Sequence, residues 1–130
     1  VFVYGTLKPG EENFDRYCAG RIVSAQEAIA LGQLYDLPFG YPAMTPGSGL
    51  VYGVVLSFTD PTLLVHLDEL EAFDPHRPPE ENEYIRQKIE TFSLNCQPLG
   101  WAWVYLMNSE QAKQLGGMLL PDGWWTGKAA

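Results

Sequence analysis

The chain has 130 residues, 46% hydrophobic and 13% aromatic but only 18% charged, a composition that packs a core and excludes a disordered tail. Its length matches one ordinary domain over residues 1–130, long enough to bury that core without disulfides or a structural metal. Sixteen acidic against eight basic residues leave a formal charge of -8, which repels phosphate backbones and anionic lipid and argues against nucleic acid or membrane as a partner.

Val1-Phe2-Val3-Tyr4 is a β-branched and aromatic run stopped by Gly5, which predicts a buried strand ending in a tight turn. Val1 already lies in that strand, so an initiator methionine and a few residues are expected before it. Lys8-Pro9-Gly10 is turn chemistry, and the acidic residues after it predict a short helix over Glu11 to Cys18, ended near Gly20. From Arg21 to Leu37, apolar residues interrupted by Gly32 predict two extended segments, and Gly40-Tyr41-Pro42 makes a break. Val51 to Phe58 reads as a strand with Gly53 as a bulge or a point of close approach.

Pro61 to Glu71 is the best helix, with Pro61 at its first position, Asp60 or Thr59 as cap, and Leu63, Leu64, Leu67 and Leu70 as its apolar stripe. Prolines make Asp74 to Pro79 a loop that can serve as a flap. Strands over Glu83 to Phe92 and Leu99 to Leu106 follow, joined by a turn at Asn95 to Pro98, and the second carries Trp101, Trp103 and Tyr105 on one face. Ser109 caps a short helix reaching Leu115, which Gly116-Gly117 ends. Successive strands with short helices between them predict an α+β fold on a mostly antiparallel sheet, with barrel closure as one arrangement.

Cys18 and Cys96 stand far apart and outside any CxxC or Cys/His spacing, so neither a metal site nor a disulfide framework is expected. That cysteine usage fits a reducing, cytoplasmic compartment. No apolar run approaches the roughly 20 residues of a membrane span. His66 and His76 lie in no local signature with a serine or cysteine, which leaves carboxylates as the candidate acid/base groups. At about 100° per residue, Glu71 falls inside the leucine stripe, Asp68 lies at its edge and Glu69 projects away. A glutamate held against apolar neighbours has its pKa raised toward neutrality, as a general acid/base requires; the same pattern fits a glutamate that caps the end of its helix or turns out to solvent in a frayed last turn. The turn at Tyr4-Gly5-Thr6-Leu7 can present backbone N–H groups as a small anion nest, and by itself it also fits a plain turn.

Val3-Tyr4-Gly5-Thr6-Leu7-Lys8, then Gly53-Val54-Val55, then Leu67-Asp68-Glu69-Leu70-Glu71, then Tyr84 with Arg86 resemble, in that order, the signature of the γ-glutamylcyclotransferase-like (AIG2-like) family, over residues 1 to about 106. The resemblance implies a small, mostly antiparallel β-barrel with short flanking helices and a cavity at one end. It implies that Glu71 is the catalytic glutamate and that Tyr4, Gly5, Thr6 and Leu7 bind substrate through backbone amides. Family members cyclise a γ-glutamyl amine or amino acid to 5-oxoproline, releasing the free amine, and need no cofactor. Tyr84 and Arg86 share a strand face by alternation, so both can approach the cavity rim, the other reading being an edge-strand pair that faces water, which suits Arg86 better; Tyr41 is expected as an aromatic wall, and Trp124 and Trp125 in core packing. Ala72 departs from the glycine common in relatives after the glutamate. Two other readings stand beside this one: a non-catalytic member binding a small carboxylate, and an interaction domain that exposes its tryptophans together. A monomer or a dimer fits the length.

Overall fold

The computed structural model describes residues 1–11, 13–71, 73–74, 76–78 and 82–127. Its elements are β1 (Phe2–Val3), α1 (Phe14–Tyr17), β2 (Ser24–Asp36), β3 (Pro42–Ser57), α2 (Thr62–Leu70), β4 (Ile85–Phe92), β5 (Pro98–Leu106), α3 (Ser109–Gln114) and β6 (Met118–Leu119). The strands form one antiparallel sheet in the order β1-β3-β2-β4-β5, with β6 on β2. The flap expected over Asp74 to Pro79 includes Pro75 and Pro79, which lie outside the described residues, as does Ala72.

The α+β class and the antiparallel sheet agree with the sequence reading, and "barrel" describes the sheet loosely. β1 and β5 end the ladder without pairing to each other. The sheet curls until those ends approach: the Tyr4 hydroxyl donates to the Tyr105 carbonyl at 2.6 Å, and Met107 N–H to the Met44 carbonyl at 2.9 Å.

Both faces of this sheet are covered, which follows from the two-residue side-chain period of its strands. Val3, Tyr35, Ala43, Leu56, Tyr105 and Met107 enter one buried cluster together with Leu63 and Leu67 of α2. Their neighbours in sequence, Phe2, Leu34, Met44, Val104 and Leu106, enter a second with Trp125.

Several boundaries differ from the sequence reading for local reasons. The two segments expected across Gly32 are one strand, β2, whose register shifts between Leu31 and Gln33. A Cβ at Gly32 would lie 2.7 Å from the Thr45 carbonyl oxygen. Gly53 sits in regular register opposite Ala28, so it is a close-approach point beneath β1 and not a bulge. Pro61 occupies the cap position of α2, and the Asp60 carboxylate accepts from Thr62 N–H at 2.9 Å. Asn108, not Ser109, caps α3, its side-chain oxygen accepting from Glu110 N–H at 2.8 Å. The tryptophans are not exposed as a set: Trp101 is 68% exposed and Trp124 44%, but Trp125 is buried.

Candidate active site

The site is assembled at one end of the curled sheet, from the first turn of the chain, the β2–β3 turn, the end of α2 and the start of β4. After β1 the chain bends at Gly5, where Lys8 N–H donates to the Gly5 carbonyl at 3.0 Å. Asn13 then ties the loop down, its N–H donating to the Thr6 carbonyl at 2.8 Å and its side-chain amide to Thr6 Oγ1 at 2.9 Å. Gly5 is required by proximity: a Cβ there would stand 2.6 Å from Pro42 Cγ. Pro42 is held in turn by the Tyr84 hydroxyl, which donates to its carbonyl at 2.8 Å. No hydrogen bond among the described residues takes up the N–H groups of Gly5, Thr6 or Leu7, so the bend presents unengaged donors, the arrangement that binds carboxylates and oxyanions.

Helix α2 delivers the carboxyl. Leu63 and Leu67 are fully buried on the sheet, and residues four apart share a helix face, so the next position on that line, Glu71, is carried to the same side. Its N–H completes the last turn by donating to the Leu67 carbonyl at 3.0 Å. Glu71 is thus the C-cap of α2, as the plainer reading had it, and its half-buried side chain lines, together with Leu70, a cavity of about 400 Å³. Burial, and secondarily the Glu83 carboxyl, push the Glu71 pKa from 4.5 up to about 7.

The cavity wall gathers seven of the eight residues singled out from sequence: Tyr4, Gly5, Thr6, Leu7, Tyr41, Glu71 and Tyr84. Arg86 is the exception and a correction. It lies on β4 across from Tyr105, behind the wall, with Nη1 3.3 Å from Asp68 Oδ2. Its guanidinium sits 4.7 Å from the Trp103 ring centroid and 5.7 Å from that of Phe73. The rim placement assumed that Tyr84 and Arg86 alternate on one strand, but β4 begins only at Ile85.

Three polar wall residues were not singled out. Glu83 accepts from the Tyr41 hydroxyl at 3.1 Å. Tyr105 was placed only on a strand face; its hydroxyl donates to Asp68 Oδ1 at 2.6 Å. Asn13 completes the group. Asp68 had one signal, its position at the stripe's edge, and Glu83 had none, because only the meeting of β4 with the β2–β3 turn brings it to Tyr41. No Lys, Arg or His lines the cavity among the described residues. Lys8 points away, its ammonium donating to the Trp125 carbonyl and stacking 3.3 Å from the Trp124 ring centroid; burial lowers its pKa to about 8. Among the described residues no three His, Cys, Asp or Glu side chains gather as a metal site, and no helix is long and apolar enough to cross a membrane.

The chain is 36% identical over 124 residues, 95% of this chain and 93% of the other, to a putative γ-glutamylcyclotransferase of Vibrio cholerae. It is 34% identical over 106 residues to the γ-L-glutamyl-butirosin B γ-glutamyl cyclotransferase of Niallia circulans, covering 81% of this chain and 65% of that longer protein. The solution structure of Escherichia coli protein ytfP superposes with a TM-score of 0.62 at 30% identity, over 96% of this chain and 94% of the other. The family model described as gamma-glutamyl cyclotransferase, AIG2-like, matches residues 1–127, and the chain belongs to that family.

Proposed function

We propose that the chain is a γ-glutamyl cyclotransferase that converts a γ-glutamyl amine or γ-glutamyl amino acid into 5-oxoproline and the free amine, with Glu71 as general acid/base. The observation that carries this reading is a single carboxyl with a pKa near 7 on the wall of a cavity that is also lined by Gly5, Thr6 and Leu7, whose amides no hydrogen bond among the described residues takes up.

The chemistry needs three things of the protein. The substrate's α-ammonium must lose a proton before its nitrogen attacks the γ-carbonyl carbon, and a carboxyl that titrates near neutrality is matched to that transfer. The tetrahedral oxygen, or the α-carboxylate that orients the substrate, needs donors, which the loop amides supply. As the new carbon–nitrogen bond forms, the attacking nitrogen sheds a second proton, and as the bond to the leaving amine breaks that nitrogen gains two, so Glu71 carries the two protons across in turn, the amine departs as an ammonium and the carboxyl ends the cycle as it began. The new bond lies within one molecule, and a cavity that holds the glutamyl chain curled provides the proximity. No metal or cofactor enters this balance.

The test is 5-oxoproline release from a panel of γ-glutamyl amino acids and amines by wild type and Glu71→Gln. Release by the wild type and its loss by at least about 100-fold in the folded variant is the expected result. Equal rates for the two proteins would remove Glu71 from the mechanism, and no release across the panel would favour a carboxylate-binding member without catalysis.

A further inference from the structure

Four phenols line the cavity, and each commits its proton to an acceptor supplied by the protein. Tyr4 donates to the Tyr105 carbonyl at 2.6 Å, Tyr41 to Glu83 at 3.1 Å, Tyr84 to the Pro42 carbonyl at 2.8 Å and Tyr105 to Asp68 at 2.6 Å. A phenol has one proton, so an oxygen already donating meets a ligand only as an acceptor. All four share the cavity wall with Glu71, and its charge raises the pKa of each, after the larger effect of burial. The wall therefore offers phenol oxygens as acceptors and loop amides as donors, a combination complementary to the ammonium and carboxylate of an α-amino acid.

Among the four, Tyr105 is the one that donates to a carboxylate held in an ion pair among the described residues. Its acceptor, Asp68, is anchored on the other oxygen by Arg86 at 3.3 Å. The guanidinium also lies over the Phe73 and Trp103 rings. Arg86 Nε is buried without a hydrogen-bond partner among the described residues, a cost that the pairing with Asp68 must offset.

We propose that Tyr105 binds the substrate's α-ammonium through its hydroxyl oxygen, and that Asp68 and Arg86 are positioning residues that act through it by keeping its proton turned away from the cavity. The inference rests on the cyclotransferase reading and adds the group that holds the nucleophile. When Glu71 removes one proton from the ammonium, an N–H directed at Tyr105 keeps the amine in place and leaves its lone pair for the γ-carbonyl. No proton passes to Tyr105 itself.

Asp68→Asn tests the positioning role without touching the cavity wall. Arg86 claims the amide oxygen, which is the only acceptor left, and the NH2 group then faces Tyr105. The phenol must accept from it, and its proton swings into the cavity, where it opposes an ammonium. The measurement is calorimetric binding to Glu71→Gln protein, in which turnover is blocked, of γ-L-glutamyl-methylamide and of its deamino counterpart N-methylglutaramate. Adding Tyr105→Phe or Asp68→Asn is expected to weaken the amine-bearing ligand by about tenfold or more, the range for a hydrogen bond to a charged group, and the deamino ligand by less than about twofold. Arg86→Lys is expected to preserve the discrimination and Arg86→Met to lose it. Equal weakening of both ligands, or of neither, overturns the proposal and leaves the cyclotransferase reading standing. Failure of the folded Glu71→Gln parent to bind either ligand refutes the cyclotransferase reading and the proposal with it.

Discussion

Glu71→Gln has a consequence for stability that is independent of any substrate. The folded protein holds this carboxyl at about 7 against 4.5 for the free side chain, because of burial first and the Glu83 carboxyl second. A displacement of that size corresponds to about 3 kcal/mol, a ceiling because Glu71 keeps part of its surface open to the cavity. The folded state binds the extra proton between those two values, so stability falls as pH rises through that window. The contribution is fully present below about pH 4.5 and lost above about pH 7. Glutamine does not titrate, so the variant lacks this fall. The assay is thermal unfolding of both proteins from pH 5 to 8. Relative to the variant, the wild type should lose up to about 3 kcal/mol across the range, about 10 °C in Tm for a chain of this size. The variant should be the more stable protein at pH 8, while its cyclotransferase activity is abolished. Parallel Tm curves across the window would show that Glu71 is an ordinary solvated carboxylate, and the acid/base reasoning would fall with it.

Three further outcomes follow from the packing. Leu67→Ala removes a fully buried side chain from the contact that seats α2 on the sheet; it should cost about 3 kcal/mol, read from the urea midpoint at unchanged m. Gly5→Ala places a Cβ 2.6 Å from Pro42 Cγ, so the loop must shift; a destabilisation of about 1–3 kcal/mol and a raised KM are expected, and unchanged kinetics would show that the loop amides are not used. Asn108→Ala removes the acceptor at the start of α3 and should cost about 1 kcal/mol, whereas Ser109→Ala should stay within about 0.5 kcal/mol; denaturant titration separates the two.

The parts of the site legible in the sequence are those whose signal is local. The period of the leucines in α2 places Glu71 on the buried side because helix geometry repeats within a few residues, and the structure carries it to the cavity. The bend after β1 is marked by Gly5, although the physical requirement differs from the one expected: Gly5 is needed because Pro42, far along the chain, packs on it. Capping residues were misplaced by one position at both α2 and α3, where adjacent Asp60 and Pro61, or Asn108 and Ser109, offer nearly equivalent starts.

What the amino-acid order determined by itself was therefore the class of fold, most of the strands and helices, and one wall of the site, since periodicity, turn residues and caps act between neighbours. Which polar groups meet was decided by the tertiary structure alone. Asp68 and Arg86 come together because α2 lies on the sheet beside β4, Tyr105 meets Asp68 across the same contact, and Glu83 reaches Tyr41 because β4 begins where the β2–β3 turn ends. The sheet likewise curls without closing, a property of its twist and of the bonds from Tyr4 and Met107. Pairings of this kind depend on the register and packing of elements distant in sequence, and no local pattern encodes them.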